Sequence, residues 1–232
     1  MKGLTGIANL GNTCFLNSCL QILNHTYELH EYVDSEKSQM LLDMRIKQQN
    51  VDAILFFEWN SLRQTMASGN GNGIISPNRF VQCVQYVAEI KKRELFTGWM
   101  QNDLCEFLLF MVECMHNSMA RTAKMKITGN AKNETDEIAV ECYNLLDRIY
   151  SKEYSEIMEM FYGTYVTKIS SVGKKERLSL TAEHFFVVDL QVCPTIYAGF
   201  DLFTKPELME GDNTWFNEST GEKQPIIKEC VF

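Results

Sequence analysis

The sequence predicts an α+β fold, with helices first and strands second. Two observations carry this. Apolar residues recur at helical spacing from Cys14 to about Phe161. Beyond that point the period drops to two, in a stretch rich in β-branched and aromatic residues. With 232 residues the chain is long enough for one large domain or two small ones around a substantial core.

In chain order, "CFLNSCLQILNH" places Phe15, Leu16, Cys19, Leu20, Ile22 and Leu23 on one helical face. "MLLDMRIKQQNVDAILFFEWNSLRQTM" reads as one or two helices, with Leu41, Leu42, Ile54, Leu55, Phe56, Trp59 and Leu62 as core candidates. The Gly- and Asn-rich "ASGNGNGIISP" is a loop, and Ser76-Pro77 starts the next helix, facing Phe80, Val81, Val84, Val87 and Ile90 inward. "FTGWMQND" is a further loop. The following helix turns Leu104, Phe107, Leu108, Met111, Val112 and Met115 to the core, and Asp103 and Glu106 have capping-box spacing at its start. "KITGNAKNETDE" is polar and expected to be exposed, before helix resumes to Phe161. The alternating segment after it predicts two or three strands turning at Gly173-Lys174. A last hairpin is expected to turn near Thr220-Gly221.

Composition narrows the class. The formal net charge of −8 argues against nucleic acid, which selects clustered Lys and Arg. No apolar run is long enough to span a membrane, and the Gly-broken start is not a signal peptide, so an intracellular protein, cytoplasmic or nuclear, is expected. Eight cysteines occur, none spaced C-x-x-C. Free thiols in a reducing compartment fit that pattern better than a disulfide framework or a structural zinc.

One cysteine stands apart. In "GLTGIANLGNTCFLNSCLQIL", Cys14 sits where a Gly- and Asn-rich turn enters a helix. With Thr13 or Asn12 as the expected cap, its thiol lies in the first turn, where the macrodipole favours thiolate, the nucleophilic form. Unpaired N–H groups at the helix start, joined by the Asn9 carboxamide, would form an oxyanion hole. Gly6 and Gly11 allow tight turns and close approach. Any helix start shares most of these groups, so the plain alternative is a small apolar residue at the head of a buried helix.

The surrounding string decides between them. "GLTGIANLGNTCFLNSCLQIL" closely resembles the cysteine box of the ubiquitin-specific proteases: Gly3-Leu4, Asn9 through Cys14, the aromatic Phe15, Asn17-Ser18 and Leu20-Gln21 all match. "QNDLCEFLLFMVECMH" resembles the same family's Gln-Asp box through Gln101, Asp103, Glu106, Phe107 and Leu108, with Asn102 in place of a Gln. Weaker echoes in "ISPNRFVQCV", "LTAEHFFVVDLQV" and "FTKPELMEGDNTWFNESTGEKQ" extend the resemblance over nearly the whole chain.

The resemblance implies a papain-like cysteine peptidase that hydrolyses the bond after the carboxyl-terminal glycine of ubiquitin. Residues 1–155 would form its helical thumb and 156–232 the start of its β-rich fingers and palm. It implies Cys14 as nucleophile, Asn9 as oxyanion donor, and Gln101, Asp103 and Glu106 lining the cleft. The two acids would hold ubiquitin's basic tail through charge-assisted hydrogen bonds; helix capping alone is the plain alternative for them. No cofactor is expected. Zinc is not expected either, because "ISSVGKK" and "WFNESTGEK" carry Ser, Asn and Thr where the family's fingers usually have thiols. The family's His box and the rest of its palm are absent from these residues, and His25, His30, His116 and His184 all lack its context. A ubiquitin-binding relative without catalysis is therefore the first rival, and a peptidase acting on a ubiquitin-like modifier the second. The last strands are expected to present an unpaired edge with Ile226, Ile227 and Val231 exposed.

Overall fold

The computed structural model describes residues 5–68, 73–173, 176–218 and 220–232. Gly3-Leu4, the middle of the Gly/Asn loop (69–72) and Lys174 of the expected turn lie outside the described residues. Two compact units emerge: residues 1–121 with 154–161, and residues 122–153 with 162–232.

The first unit is helical. Helix α1 (Cys14–Asn24) buries Leu16, Cys19, Leu20 and Leu23, whereas Ile22 points outward. Helix α2 (Tyr27–Asp34), which the periodicity reading did not single out, contributes Leu29 and Val33 to the core. The long apolar stretch after it splits into α3 (Glu36–Lys47) and α4 (Val51–Ser68) at Gln49, whose φ of 59° no helix interior accepts. Ser35 caps α3 by accepting from the Ser38 amide, and Arg45 and Lys47 complement its carboxyl-terminal dipole.

Helix α4 is the hub. It packs against α3, α5 (Asn78–Ile90) and α6 (Leu104–Met119), and so buries residues around its circumference, including polar ones. Arg63 is 7% exposed and is held by the Asp34 carboxylate and by Asn60 Oδ1 at 2.8 and 3.0 Å. A guanidinium at that depth requires such pairing. Trp59 and Phe56 stack beside it, 5.7 Å between centroids. In α5, Phe80, Val81, Val84 and Val87 are buried as the pattern predicts, but Ile90 at the last turn is exposed. A short helix, α8 (Glu156–Phe161), returns to this unit and inserts Ile157 and Met158. A two-residue parallel ladder joins β1 (Gly6–Ile7) to β2 (Ile74–Ile75).

The second unit is built on a four-stranded antiparallel sheet. Strands β3 (Gly163–Ser171), β4 (Arg177–Phe185), β5 (Glu207–Met209) and β8 (Ile226–Val231) lie in the order β4-β3-β8-β5. Val166, on the central β3, is fully buried between Ala182 and Val231. Gly163 lies against the Phe185 ring, where a Cβ would come within 2.5 Å of it, so only glycine fits. Helix α7 (Glu134–Tyr150) packs on β4 and β3. The last hairpin forms as expected from β6 (Trp215–Asn217) and β7 (Glu222–Gln224).

The helix 134–150 groups with the strands rather than with the preceding helices. One expectation changes here. Strand β8 is an interior strand paired on both sides, and Ile226 is 2% exposed rather than displayed on an open edge; Ile227 and Val231 are half-buried. Helix α9 (Ile196–Phe203), capped by Thr195, occupies a stretch to which the periodicity reading assigned no element. Among the described residues no helix is long and apolar enough to cross a membrane.

Candidate active site

The candidate site is assembled within the first unit from two loops, each leading into a helix. The first loop, residues 8–13, ends at α1, with Cys14 as its first helical residue. Gly11 (φ 103°) and Asn12 (φ 56°) turn it through left-handed backbone, where glycine is unstrained and Asn is the best-tolerated ordinary residue. Thr13 occupies the N-cap position, but neither it nor Asn12 caps with its side chain. The Thr13 hydroxyl instead accepts from the Leu10 amide and donates to Asn9 Oδ1, at 3.0 and 3.1 Å.

That arrangement orients Asn9. Its Oδ1 accepts from the Gly11 and Thr13 amides and from the Thr13 hydroxyl, each at 3.1 Å. Three donors fix which end of the amide is oxygen. The NH₂ group is thereby left as the free donor end of an exposed side chain. The amides of Gly11 and Thr13 are thus occupied. Those of Cys14, Phe15 and Leu16, at the head of α1, have no partner among the described residues.

The second loop, residues 97–103, enters α6. Asp103 is a true N-cap: its Oδ1 accepts from the Glu106 amide at 3.0 Å. Gln85 holds the loop by donating to the Gly98 carbonyl at 3.2 Å, and Asn102 donates to the Leu95 and Met100 carbonyls at 2.8 and 3.1 Å. These bonds present Gln101 to the first loop. Its Nε2 donates toward Cys14 Sγ at 3.9 Å, within range for a sulfur acceptor. Asn12 makes the other link between the loops, with Nδ2 donating to the Trp99 carbonyl at 3.1 Å.

Beneath the loops the two helices are locked together. Phe15 meets Phe107 edge to face at 5.3 Å, and Cys19 Sγ donates to the Leu104 carbonyl at 3.4 Å. Burial pushes the Cys19 thiol up to about 12. By contrast Cys14 is exposed. Asn17 and Gln21 of the cysteine box turn inward to structural work, donating to the Ala8 and Thr5 carbonyls at 3.2 and 3.1 Å.

The structure therefore gathers Cys14, Asn9 and Gln101. Asp103 stands two residues beyond Gln101 on the same loop. Glu106 is exposed on a groove of about 470 Å³ with Lys92, Arg93 and Glu113. His25 closes α1, His30 leans on Trp59, His116 Nδ1 is 2.7 Å from Ser155 Oγ, and His184 stacks on Tyr162. Among the described residues no three His, Cys, Asp or Glu side chains gather as metal ligands would. Sequence reasoning missed Asn12 as the tie between the loops. It also missed the exposed Trp99 and Met100 immediately before Gln101. The signal for Asn12 was an Asn directly after Gly, the composition of left-handed backbone.

Comparison with known proteins bears on the family and the fold. The family model described as ubiquitin carboxyl-terminal hydrolase matches residues 5–216. Human ubiquitin carboxyl-terminal hydrolase 2 is 28% identical over 221 residues, covering 91% of this chain and 34% of its own. Human ubiquitin carboxyl-terminal hydrolase 19 is 25% identical over 89% of this chain and 16% of its own. The chain thus spans about a third or less of the length of these relatives. Among solved structures, the Ubp8/Sgf11/Sus1/Sgf73 deubiquitinating module bound to ubiquitin aldehyde aligns at a TM-score of 0.62. That match has 20% identity and covers 99% of this chain and 44% of that one. A second structure of the module, with a cysteine-to-alanine substitution in Ubp8 and bound to monoubiquitin, aligns at 0.63. The fold of this chain is accordingly the papain-like α+β fold, and with the family model matching most of its length the chain belongs to the ubiquitin carboxyl-terminal hydrolase family, as a ubiquitin-specific protease.

Proposed function

We propose that the chain carries the nucleophile-bearing part of a thiol-dependent deubiquitinase, with Cys14 as nucleophile. The observation that carries this reading is the 3.9 Å approach of Gln101 Nε2 to Cys14 Sγ. It joins two sequence blocks 87 residues apart around one exposed thiol, beside an Asn9 amide held with its donor end outward. Helix burial alone explains neither feature.

In this reaction Cys14 Sγ attacks the carbonyl carbon of the carboxyl-terminal glycine of ubiquitin. The carbonyl oxygen becomes an oxyanion, held by Asn9 Nδ2 and the unpartnered Cys14 amide. Collapse expels the amine of the substrate lysine with a proton and leaves a thioester, which water then hydrolyses. The free carboxylate oxygen of Asp103 and the exposed carboxylate of Glu106 face the basic tail of ubiquitin. The Cys14 thiol gives up its proton to a general base as it attacks.

The test uses the protein as made in its native source. Its intact mass is measured first, against the 26.8 kDa of this chain. It is then treated with ubiquitin bearing a carboxyl-terminal electrophile. Addition of one ubiquitin at Cys14, lost in Cys14→Ala, is the expected result. Addition at another cysteine, or none, overturns the assignment of Cys14.

A further inference from the structure

We propose that Asn12 is a positioning residue, whose side-chain bond to the Trp99 carbonyl sets the Gln101 amide against the Cys14 thiol. The inference deepens the reading of Cys14 as nucleophile and rests on it.

The geometry is direct. Cys14 and Gln101 belong to loops far apart in sequence, and each loop is well tied to its own surroundings. The cysteine loop is closed by Asn9 and Thr13. The glutamine loop is fastened to α5 through Gln85 and to its own neighbours through Asn102. None of those bonds crosses from one loop to the other. Two side-chain bonds do: Asn12 Nδ2 to Trp99 O at 3.1 Å, and Gln101 Nε2 to Cys14 Sγ at 3.9 Å. They run in parallel, two residues apart on each strand of chain. The long, weak sulfur contact cannot fix the gap by itself, because a neutral thiol is a poor acceptor. The amide-to-carbonyl bond is of ordinary length and strength. The φ of 56° at Asn12 points its short side chain across the gap. A carboxamide is required at its end, because a carboxylate there would face a carbonyl oxygen.

The chemical consequence falls on the thiolate. An amide N–H held toward sulfur stabilises the anion more than the neutral thiol, since hydrogen bonds to charged acceptors are about twice as strong. Loosening Asn12 lets Gln101 drift and withdraws that support without touching Cys14.

Asn12→Gly is the informative variant, because glycine keeps the left-handed backbone without strain and removes only the amide. Asn12→Asp keeps the shape and removes the donor. The readout is the rate of Cys14 alkylation by iodoacetamide at pH 7, followed on the Cys14 peptide by mass spectrometry, which needs neither ubiquitin nor a proton acceptor. Loss of a hydrogen bond at the low end of ordinary strength corresponds to a fall of about threefold. We expect Asn12→Gly, Asn12→Asp and Gln101→Ala each to slow Cys14 by about that factor, and Asn12→Gly with Gln101→Ala to slow it no further. In the protein as made in its native source, the same Asn12 variants lower kcat and leave KM nearly unchanged. Unchanged alkylation in Asn12→Gly, or an effect that multiplies with that of Gln101→Ala, overturns the proposal. So would Asn12→Asp behaving like the parent. If alkylation follows the expected pattern but the protein cleaves no ubiquitin, Asn12 keeps its role and the reading of the reaction fails instead.

Discussion

Phe15 and Phe107 meet edge to face at 5.3 Å, so the helix that begins with Cys14 and the helix that follows Gln101 share one aromatic contact. Phe107 also meets Phe96 edge to face at 5.4 Å and is fully buried. Phe107→Ala is expected to destabilise the first unit by about 3–5 kcal/mol, the cost of deleting a buried aromatic ring. Urea unfolding followed by Trp fluorescence measures it. A loss well under 1 kcal/mol would show that the two helices are held by something else.

Asp103 carries two assignments that one pair of variants separates. Asn is as good an N-cap as Asp, so Asp103→Asn should leave the melting temperature nearly unchanged, whereas Asp103→Ala loses the bond to the Glu106 amide and about 1 kcal/mol. If the carboxylate holds a basic substrate tail, KM for ubiquitin substrates rises in both variants. An unchanged KM in Asp103→Asn leaves capping as its sole role.

Asn9→Ala removes the acceptor of three hydrogen bonds and the proposed oxyanion donor together. In the protein as made in its native source kcat is expected to fall by about 10²–10³, the range for loss of one such donor. Comparison with the alkylation rate of Cys14 shows whether the loop has collapsed. A normal alkylation rate with low kcat identifies loss of the donor itself.

The cysteines offer a map of the core. Cys14 and Cys105 are exposed. Burial pushes the Cys19 and Cys83 thiols up to about 12 and Cys114 higher still. Iodoacetamide at pH 7–8 should therefore modify Cys14 and Cys105 within minutes and spare those three until the protein unfolds. Early labelling of Cys19 would mean that α1 and α6 separate in solution.

Acid should loosen the return of α8 to the first unit. Arg121 binds Glu156 through both carboxylate oxygens, at 2.6 and 2.8 Å, with its guanidinium 4.8 Å from the Tyr154 ring. Hydrogen bonding from Arg121 holds the Glu156 carboxyl down at about 2, below its ordinary 4.5. A lowered carboxylate contributes stability that is present in full above 4.5 and is lost as pH falls through about 2. Arg121→Met removes that window, so its acid unfolding midpoint should lie at higher pH than the parent's. Circular dichroism between pH 5 and 1.5 reads the difference, and identical midpoints would discount the pair.

Much of the helical unit was legible wherever an amphipathic stripe meets the core. Val84 and Val87 in α5, and Met111 and Met115 in α6, are buried where period alone puts them. Ile22 and Ile90 escaped because a stripe does not say how far the neighbouring helix extends. Arg63, Asn60 and Glu58 are buried through contacts that only tertiary placement supplies. In the second unit, β8 reads as an edge from its position in the chain but pairs on both sides, because strand order is non-local and leaves no trace in alternation. Helix α9 was hidden by its composition. "IYAGFDLF" holds a glycine, an aspartate and several β-branched or aromatic residues, and the Thr195 cap offsets their weak helix propensity. At the site, the motif located Cys14, Asn9 and Gln101. The direction of the Asn9 amide and the use of Thr13 depended on loop closure, which residue identity does not encode.

The division of the chain also orders events during synthesis. The unit that holds Cys14 is interrupted at residue 121 and completed only by residues 154–161, which deliver Ile157 and Met158. A ribosome adding about 5–20 residues per second needs about 2–8 s to make residues 122–161. Throughout that interval the nascent thiol-bearing unit displays the unfilled seat of α8. A chaperone acting early on this protein should recognise that seat, and its release should coincide with the emergence of Phe161.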